Sequence, residues 1–239
     1  MEYTIVLSDE LLKAYYDFKK SKSVEQDIIT KLFKYYISGH LTNCKQLETI
    51  GVEDEPLKQQ LAPEGYIKQT LEELGEKTIY KFILNTERDD YPYINIYSDK
   101  IERNFTATYG KNESRQKTIE HIKALCKNAQ YVFIYDKFLN ENIIREIAKI
   151  LPRKRLNIIH TQIYNDHTKQ WELNLSQSQI TLFKNICKDW IIKEDRKNTY
   201  KNYHDRYLLI DNQIEIILTS GFDYLFDENK EFTYLVRKK

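Results

Sequence analysis

Apolar positions in the first third of the chain recur at helical spacing. Ser8 precedes a run with Leu11, Leu12, Tyr15, Tyr16 and Phe18, and Ser23 followed by Gln26 has the form of a capping box. Val24, Ile28, Ile29, Leu32, Phe33, Tyr36 and Ile37 continue the period, and Gly39 stands where a helix can stop. Residues 38–65 hold Gly39, Gly51, Pro56, Pro63 and Gly65 and read as loop-rich, with a change of pattern near residue 75. Beyond it, TIYKFIL (78–84) and YINIY (93–97) have the β-branched and aromatic content of strands. A helix is predicted over 114–128, a buried strand at YVFIYD (131–136), a helix over 140–151 with Asn140 as its cap, and a strand at RLNIIHT (155–161). Strand, helix and strand at this range predict a βαβ unit and a partly parallel sheet. Residues 164–175 read as a polar loop and 177–195 as one helix, with Ile180, Phe183, Ile186, Cys187, Trp190 and Ile191 inward. Three strands close the chain at 206–211, 214–220 and 231–237.

These elements divide the chain into a helical N-terminal region, 1–75, and an α/β domain, 76–239. The 239 residues, 41% hydrophobic, are enough for a core, so wholesale disorder is excluded. Lys and Arg number 37 against 36 Asp and Glu, so a nucleic-acid surface must come from local clustering of charge. Cys44, Cys126 and Cys187 are odd in number and far apart, which argues against a disulfide framework or zinc ribbon and fits a reducing, cytoplasmic setting. The early charges of MEYTIVLSDELLKAYYDFKK do not read as a signal peptide, and no uncharged apolar stretch approaches the length of a membrane span.

The segment that carries chemistry is Tyr203-His204-Asp205-Arg206-Tyr207-Leu208-Leu209-Ile210-Asp211. In an extended strand His204 and Arg206 project to the same side. An imidazole beside a fixed cation suits a phosphodiester, whose oxygens need neutralising while phosphorus is attacked. Asp211, beyond the apolar YLLI run, either orients a catalytic group or closes the strand. Spacing alone favours a polar strand end in which Arg206 pairs with Asp205 or Asp211, and only the flanking sequence turns the reading toward a phosphate site.

This segment resembles the His-x-Lys-x(4)-Asp motif of the phospholipase D superfamily. YVFIYDKFL, the helix after it and RLNIIHT look like the upstream core of that fold, and Thr219-Ser220-Gly221 lies near the place of the family's Gly-Ser phosphate-binding element. The resemblance spans residues 115–239 and implies an α/β/α sandwich with a mixed central sheet, preceded here by the helical N-terminal segment. It implies His204 as nucleophile or acid, Arg206 on the phosphate, Asp211 as orienter, and Ser220 and Thr219 as further phosphate contacts, with no metal or other cofactor. Position 206 is Arg where catalytic members have Lys, a change that is not conservative at a phosphate. Gly221-Phe222-Asp223 stands where the family has Asn. HDR…D…SGFDYL is also similar to the phospholipase-D-like C-terminal domain of microtubule-interacting-and-transport-domain proteins, which binds phosphoinositide membranes.

The superfamily sets two such motifs around one phosphorus. His121-Ile122-Lys123 with Asn128 matches the spacing but falls in a helical stretch, where i and i+2 face apart. His167-Thr168-Lys169 with Asn174 matches too but has no apolar strand behind it. One motif per chain implies a homodimer that brings two copies of His204 together across a two-fold axis. Expected partners are therefore a second copy and DNA or RNA, with a larger protein complex reached through 1–75 as a further expectation and a membrane as the lesser one. The expected activity is that of a phospholipase D-like nuclease or phosphodiesterase, as in bacterial restriction and phage-defence members. The rival expectation is a catalytically silent phosphate-binding module.

Other candidates carry less. Glu87-Arg88-Asp89-Asp90 reads as a solvated hairpin end before Pro92, and Asp211 with Glu215 lacks the Glu-x-Lys of a metal-dependent nuclease. His160 ends an apolar strand and is expected to be structural. Arg153-Lys154-Arg155 and Arg196-Lys197 with Lys201 are basic clusters, and Tyr200 and Tyr203 beside the second are placed to stack on bases.

Overall fold

The computed structural model describes residues 2–36, 39–165, 167–195 and 204–239. Two compact units divide at Arg103 and Asn104. The first carries β1 (Val6–Leu7), α1 (Asp9–Lys19), α2 (Gln26–Tyr35), α3 (Cys44–Thr49), α4 (Glu55–Leu61), α5 (Leu71–Gly75), β2 (Ile83–Asn85), β3 (Tyr93–Asn95) and β4 (Ile101–Glu102). The Ser8 hydroxyl accepts from the Leu11 amide and caps α1, as its position predicts. Ser23 does not cap α2, which starts at Gln26 behind Glu25, so the capping box is not formed. Nor are residues 1–75 helical throughout. The fully buried Ile5 leads into β1, which pairs in parallel with β2, and β2 pairs in parallel with β3. Residues 78–82, read as strand, are a bend at 78–80 and irregular backbone at 81–82 before β2 instead, with Lys81 at φ 53°. The loop-rich stretch 38–65 contains α3 and α4, both capped by side chains, those of Asn43 and Asp54.

The second unit runs β5 (Thr106–Tyr109), α6 (Gln116–Cys126), β6 (Tyr131–Tyr135), α7 (Glu141–Ile150), β7 (Leu156–His160), β8 (Gln162–Asn165), β9 (Gln170–Leu173), α8 (Gln177–Ile186), β10 (Trp190–Glu194), β11 (Arg206–Ile210), β12 (Ile214–Leu218), α9 (Phe222–Leu225) and β13 (Phe232–Lys238). Its mixed sheet has the order β10-β7-β6-β11-β12-β13-β5. The β6-α7-β7 and β7-α8-β10 crossovers make the parallel half. The chain then crosses to the other side of β6 and finishes antiparallel through β11, β12 and β13. Central strands are buried on both faces, which is why YVFIY and YLLI read as unbroken apolar runs. Phe133, Tyr135, Ile159, Tyr207 and Leu209 form the core of one face. Val132, Ile134, Ile158, Leu208 and Ile216 alternate with them and are equally buried.

In this second unit two segments also differ from their expectation. The helix read over 177–195 stops at Ile186, and Trp190–Glu194 forms an edge strand paired with β7. Trp190, Ile191 and Ile192 favour a strand, and the open side of β7 supplies the hydrogen bonds that local periodicity could not reveal. The polar stretch 164–175 forms the separate β8-β9 hairpin, with Tyr164 and Trp171 ring centroids 5.3 Å apart.

Candidate phosphate-binding site

The site lies where β6 ends, β11 begins and β12 ends. In the antiparallel register Tyr207 stands opposite Tyr135 and Arg206 opposite Leu218. Arg206 thus starts β11 beside Asp136, which follows β6, and beside Thr219 and Ser220, which follow β12. Arg206, Thr219, Ser220, Phe138, Asp223, Tyr224 and Lys230 line an open hollow of about 390 Å³. The volume is ample for a phosphate group and part of what it esterifies.

Asp136 is the buried support of this hollow. Its carboxylate accepts from the Phe138 amide at 2.9 Å and the Phe222 amide at 2.9 Å, joining the loops after β6 and β12. Its side chain is 1% exposed, and Arg206 Nε stands 3.7 Å from Oδ1. That is an ion-pair distance but too long for a hydrogen bond, so Nε is buried with no hydrogen-bond partner. The guanidinium is positioned by charge and is not consumed by the pair; Nη1 donates to the His204 carbonyl at 2.8 Å. Burial pushes the Asp136 carboxyl above its ordinary value, opposed by the two amides and Arg206 and helped by Asp223.

Gly221 makes the close approach possible. Its φ is +107°, and a Cβ there would stand 2.9 Å from Asp223 Oδ1, 3.0 Å from Asp136 Oδ2 and 3.5 Å from Arg206 Nε. Only glycine meets both demands. On the far wall Lys230 pairs with Asp223 at 3.0 Å and Asp227 at 3.8 Å, and its ammonium lies 4.4 Å from the Tyr224 ring centre. The hydrogen bond to Asp223 holds the Lys230 amine above its usual range. Arg115, 1% exposed, fixes this loop from below by donating to the carbonyls of Glu113, Gly110, Glu228 and Lys230. Phe138 covers Arg206 from outside: its ring centre is 5.1 Å from the guanidinium carbon, yet the residue is 64% exposed.

The residues singled out from the sequence are thus partly gathered. Arg206, Ser220 and Thr219 share the hollow. His204 is exposed in a bend just outside β11, so the alternation that would align it with Arg206 does not reach it, and it is not among the residues lining the hollow. Asp211 is not brought to them. It follows the opposite end of β11, about 15 Å away at the rise of a strand, and accepts from the Gln130 and Tyr131 amides at 3.0 and 2.9 Å. These bonds close the strand and leave it no reach to His204 of the same chain. Tyr203, with Arg196, Lys197, Tyr200 and Lys201, lies outside the described residues.

Neither alternative histidine motif joins the site. His121 is fully buried on α6, 3.2 Å from the Tyr234 hydroxyl. His167 lies in the β8-β9 turn, its amide bonded to Asn165. His160 is buried at the end of β7, Nδ1 lacks a hydrogen-bond partner, and burial lowers its pKa. Among the described residues no group of three or more His, Cys, Asp and Glu side chains could hold a metal ion, and no helix is long and apolar enough to cross a membrane. The sequence reading missed Asp136, Phe138, Lys230 and Arg115. For Asp136 a signal existed, a carboxylate ending the apolar YVFIY run.

No protein-family profile and no curated protein sequence matches the chain. Among solved structures it is similar to NucT from Helicobacter pylori, at 16% identity and a TM-score of 0.33, over 55% of this chain and 83% of that one. It is also similar to a yeast tyrosyl-DNA phosphodiesterase mutant, at 9% identity and a TM-score of 0.26, over 55% of this chain and 31% of that one.

Proposed function

We propose that residues 104–239, within the 76–239 stretch read from the sequence, form a phospholipase D-like phosphodiesterase that acts on nucleic acid without a metal cofactor. On this reading the mixed sheet is the centre of an α/β/α sandwich. The observation that carries the reading is the joint exposure of Arg206, Ser220 and Thr219 to one hollow at adjacent strand ends, with His204 two residues before Arg206. A guanidinium and two hydroxyls are donors suited to the non-bridging oxygens of a phosphodiester.

His204 attacks phosphorus as the neutral imidazole, one P–O bond breaks, and the leaving oxygen takes a proton from His204 of a second copy. Water then hydrolyses the phosphohistidine, the second histidine accepting its proton. Arg206 neutralises charge on the phosphoryl oxygens throughout. The homodimer is needed because each chain supplies one motif. Residues 1–75 then serve dimerisation or a larger assembly, and phage defence is the proposed setting.

A second reading is favoured by one observation: His204 stands outside the lining while Asp223 and Asp136 offset the cations there. A binder of phosphate groups, on a nucleic-acid backbone or a phosphoinositide membrane, needs Arg206 and no nucleophile. The test is cleavage of labelled DNA and RNA in EDTA by wild type, His204→Ala and Arg206→Ala, alongside a native mass measurement. Cleavage that survives EDTA and is lost in both variants, from a dimer, supports the enzyme. Arg206-dependent binding with no turnover supports the binder, and a strict monomer that cleaves overturns the two-histidine mechanism.

A further inference from the structure

Phe138 has no place in the core. Leaving a phenylalanine 64% exposed forgoes most of the free energy its burial would bring. Its backbone is held by the amide bond to the buried Asp136, and its ring lies 5.1 Å from the Arg206 guanidinium carbon. The ring therefore forms an apolar rim beside the Arg206 guanidinium. Asp223 and Lys230 make the facing wall polar, so whatever touches phosphate on Arg206 has one flat apolar neighbour and one hydrogen-bonding one.

We propose that Phe138 is a stacking platform for a nucleobase next to the bound phosphate, so that the site takes a phosphodiester flanked by an unpaired base. This rests on the phosphate-binding reading above and adds the kind of strand. A base one sugar away from a phosphate on Arg206 reaches the Phe138 ring and lays its π face on it. In a duplex that face is covered by the neighbouring pairs, and exposing it costs unstacking. Stacking on one aromatic ring is tolerant of base identity, so the preference is for strandedness and not for sequence.

The test is fluorescence anisotropy in EDTA with three labelled probes: a single-stranded oligonucleotide, the same sequence as a duplex, and a single strand of abasic sugar-phosphate. The proteins are His204→Ala, which removes the nucleophile so that the probes stay intact, and the same variant carrying Phe138→Leu, Phe138→Trp or Arg206→Ala. The base-containing single strand should bind about 5- to 150-fold tighter than the abasic strand, the range that one stacked base supplies, and tighter than the duplex. Phe138→Leu, which keeps an apolar side chain without a π face, should lose that margin, and Phe138→Trp should keep it. Equal binding of abasic and base-containing strands that still depends on Arg206 overturns the stacking platform and leaves the phosphate site standing. Binding indifferent to Arg206→Ala overturns both. In a parallel sedimentation assay with phosphoinositide vesicles, Phe138-dependent binding together with no nucleic-acid binding overturns the platform in favour of a lipid.

Discussion

Gly221→Ala adds one methyl group at the junction that holds the hollow together, and the cost can be worked out. The backbone there has φ 107° and ψ 173°, a conformation that costs a non-glycine residue about 1–3 kcal/mol. The new Cβ would also stand 2.9 Å from Asp223 Oδ1 and 3.0 Å from Asp136 Oδ2. Asp223 can swing away, at the expense of its bond to Lys230. Asp136 cannot, because it is buried and held by the Phe138 and Phe222 amides. Overpacking of this kind typically costs about 1–3 kcal/mol, so the two contributions give a loss of about 2–6 kcal/mol against a domain stability of about 5–15 kcal/mol. Urea denaturation followed by circular dichroism measures it. Gly110→Ala is the control in the same unit: its Cβ would meet Glu113 Oε2 at an ordinary 3.6 Å, and its φ is not in the positive region. A Gly221→Ala loss within about 0.5 kcal/mol of the control would refute the close junction of Gly221, Asp136 and Arg206.

Four further outcomes are expected. The raised pKa of Asp136 means the folded state holds its proton more tightly than the unfolded chain, so ionisation opposes folding; its contribution is present below the unfolded value of 3.8 and is lost as pH rises from there through the folded value. Urea midpoints across that window should fall less steeply in Asp136→Asn than in wild type, and parallel slopes would refute the assignment. Asp211→Ala should lower stability by about 1 kcal/mol through the two lost amide bonds while leaving phosphate binding at Arg206 unchanged, as titration with pyrophosphate would show. Asn140→Ala removes the cap that accepts from the Ile143 amide and should cost about 1 kcal/mol by thermal denaturation. Burial raises the Cys126 thiol to about 12, so iodoacetamide at pH 8 should label Cys44 and Cys187, both partly exposed, and spare Cys126 in the native protein; mass spectrometry reads the sites.

Where the sequence was legible, the interaction was local or strongly periodic. The Asn140 cap, the amphipathic α7 and the apolar runs of β6, β7 and β11 to β13 announced themselves within a dozen residues, and with them the parallel half of the sheet. The motif also fixed which residue, Arg206, meets Ser220 and Thr219, because antiparallel β11 and β12 joined by a short turn must return the end of one to the start of the other. Tertiary structure decided the rest. Trp190–Glu194 became strand only because β7 offers an edge, and β1 is a strand only because β2 arrives beside it from residues 83–85. Asp136 lies 70 residues from Arg206 along the chain, and Lys230 a further 24 beyond it. No local pattern encodes such a meeting, since it is set by which strand ends the sheet order brings together and by how little room a glycine leaves between them.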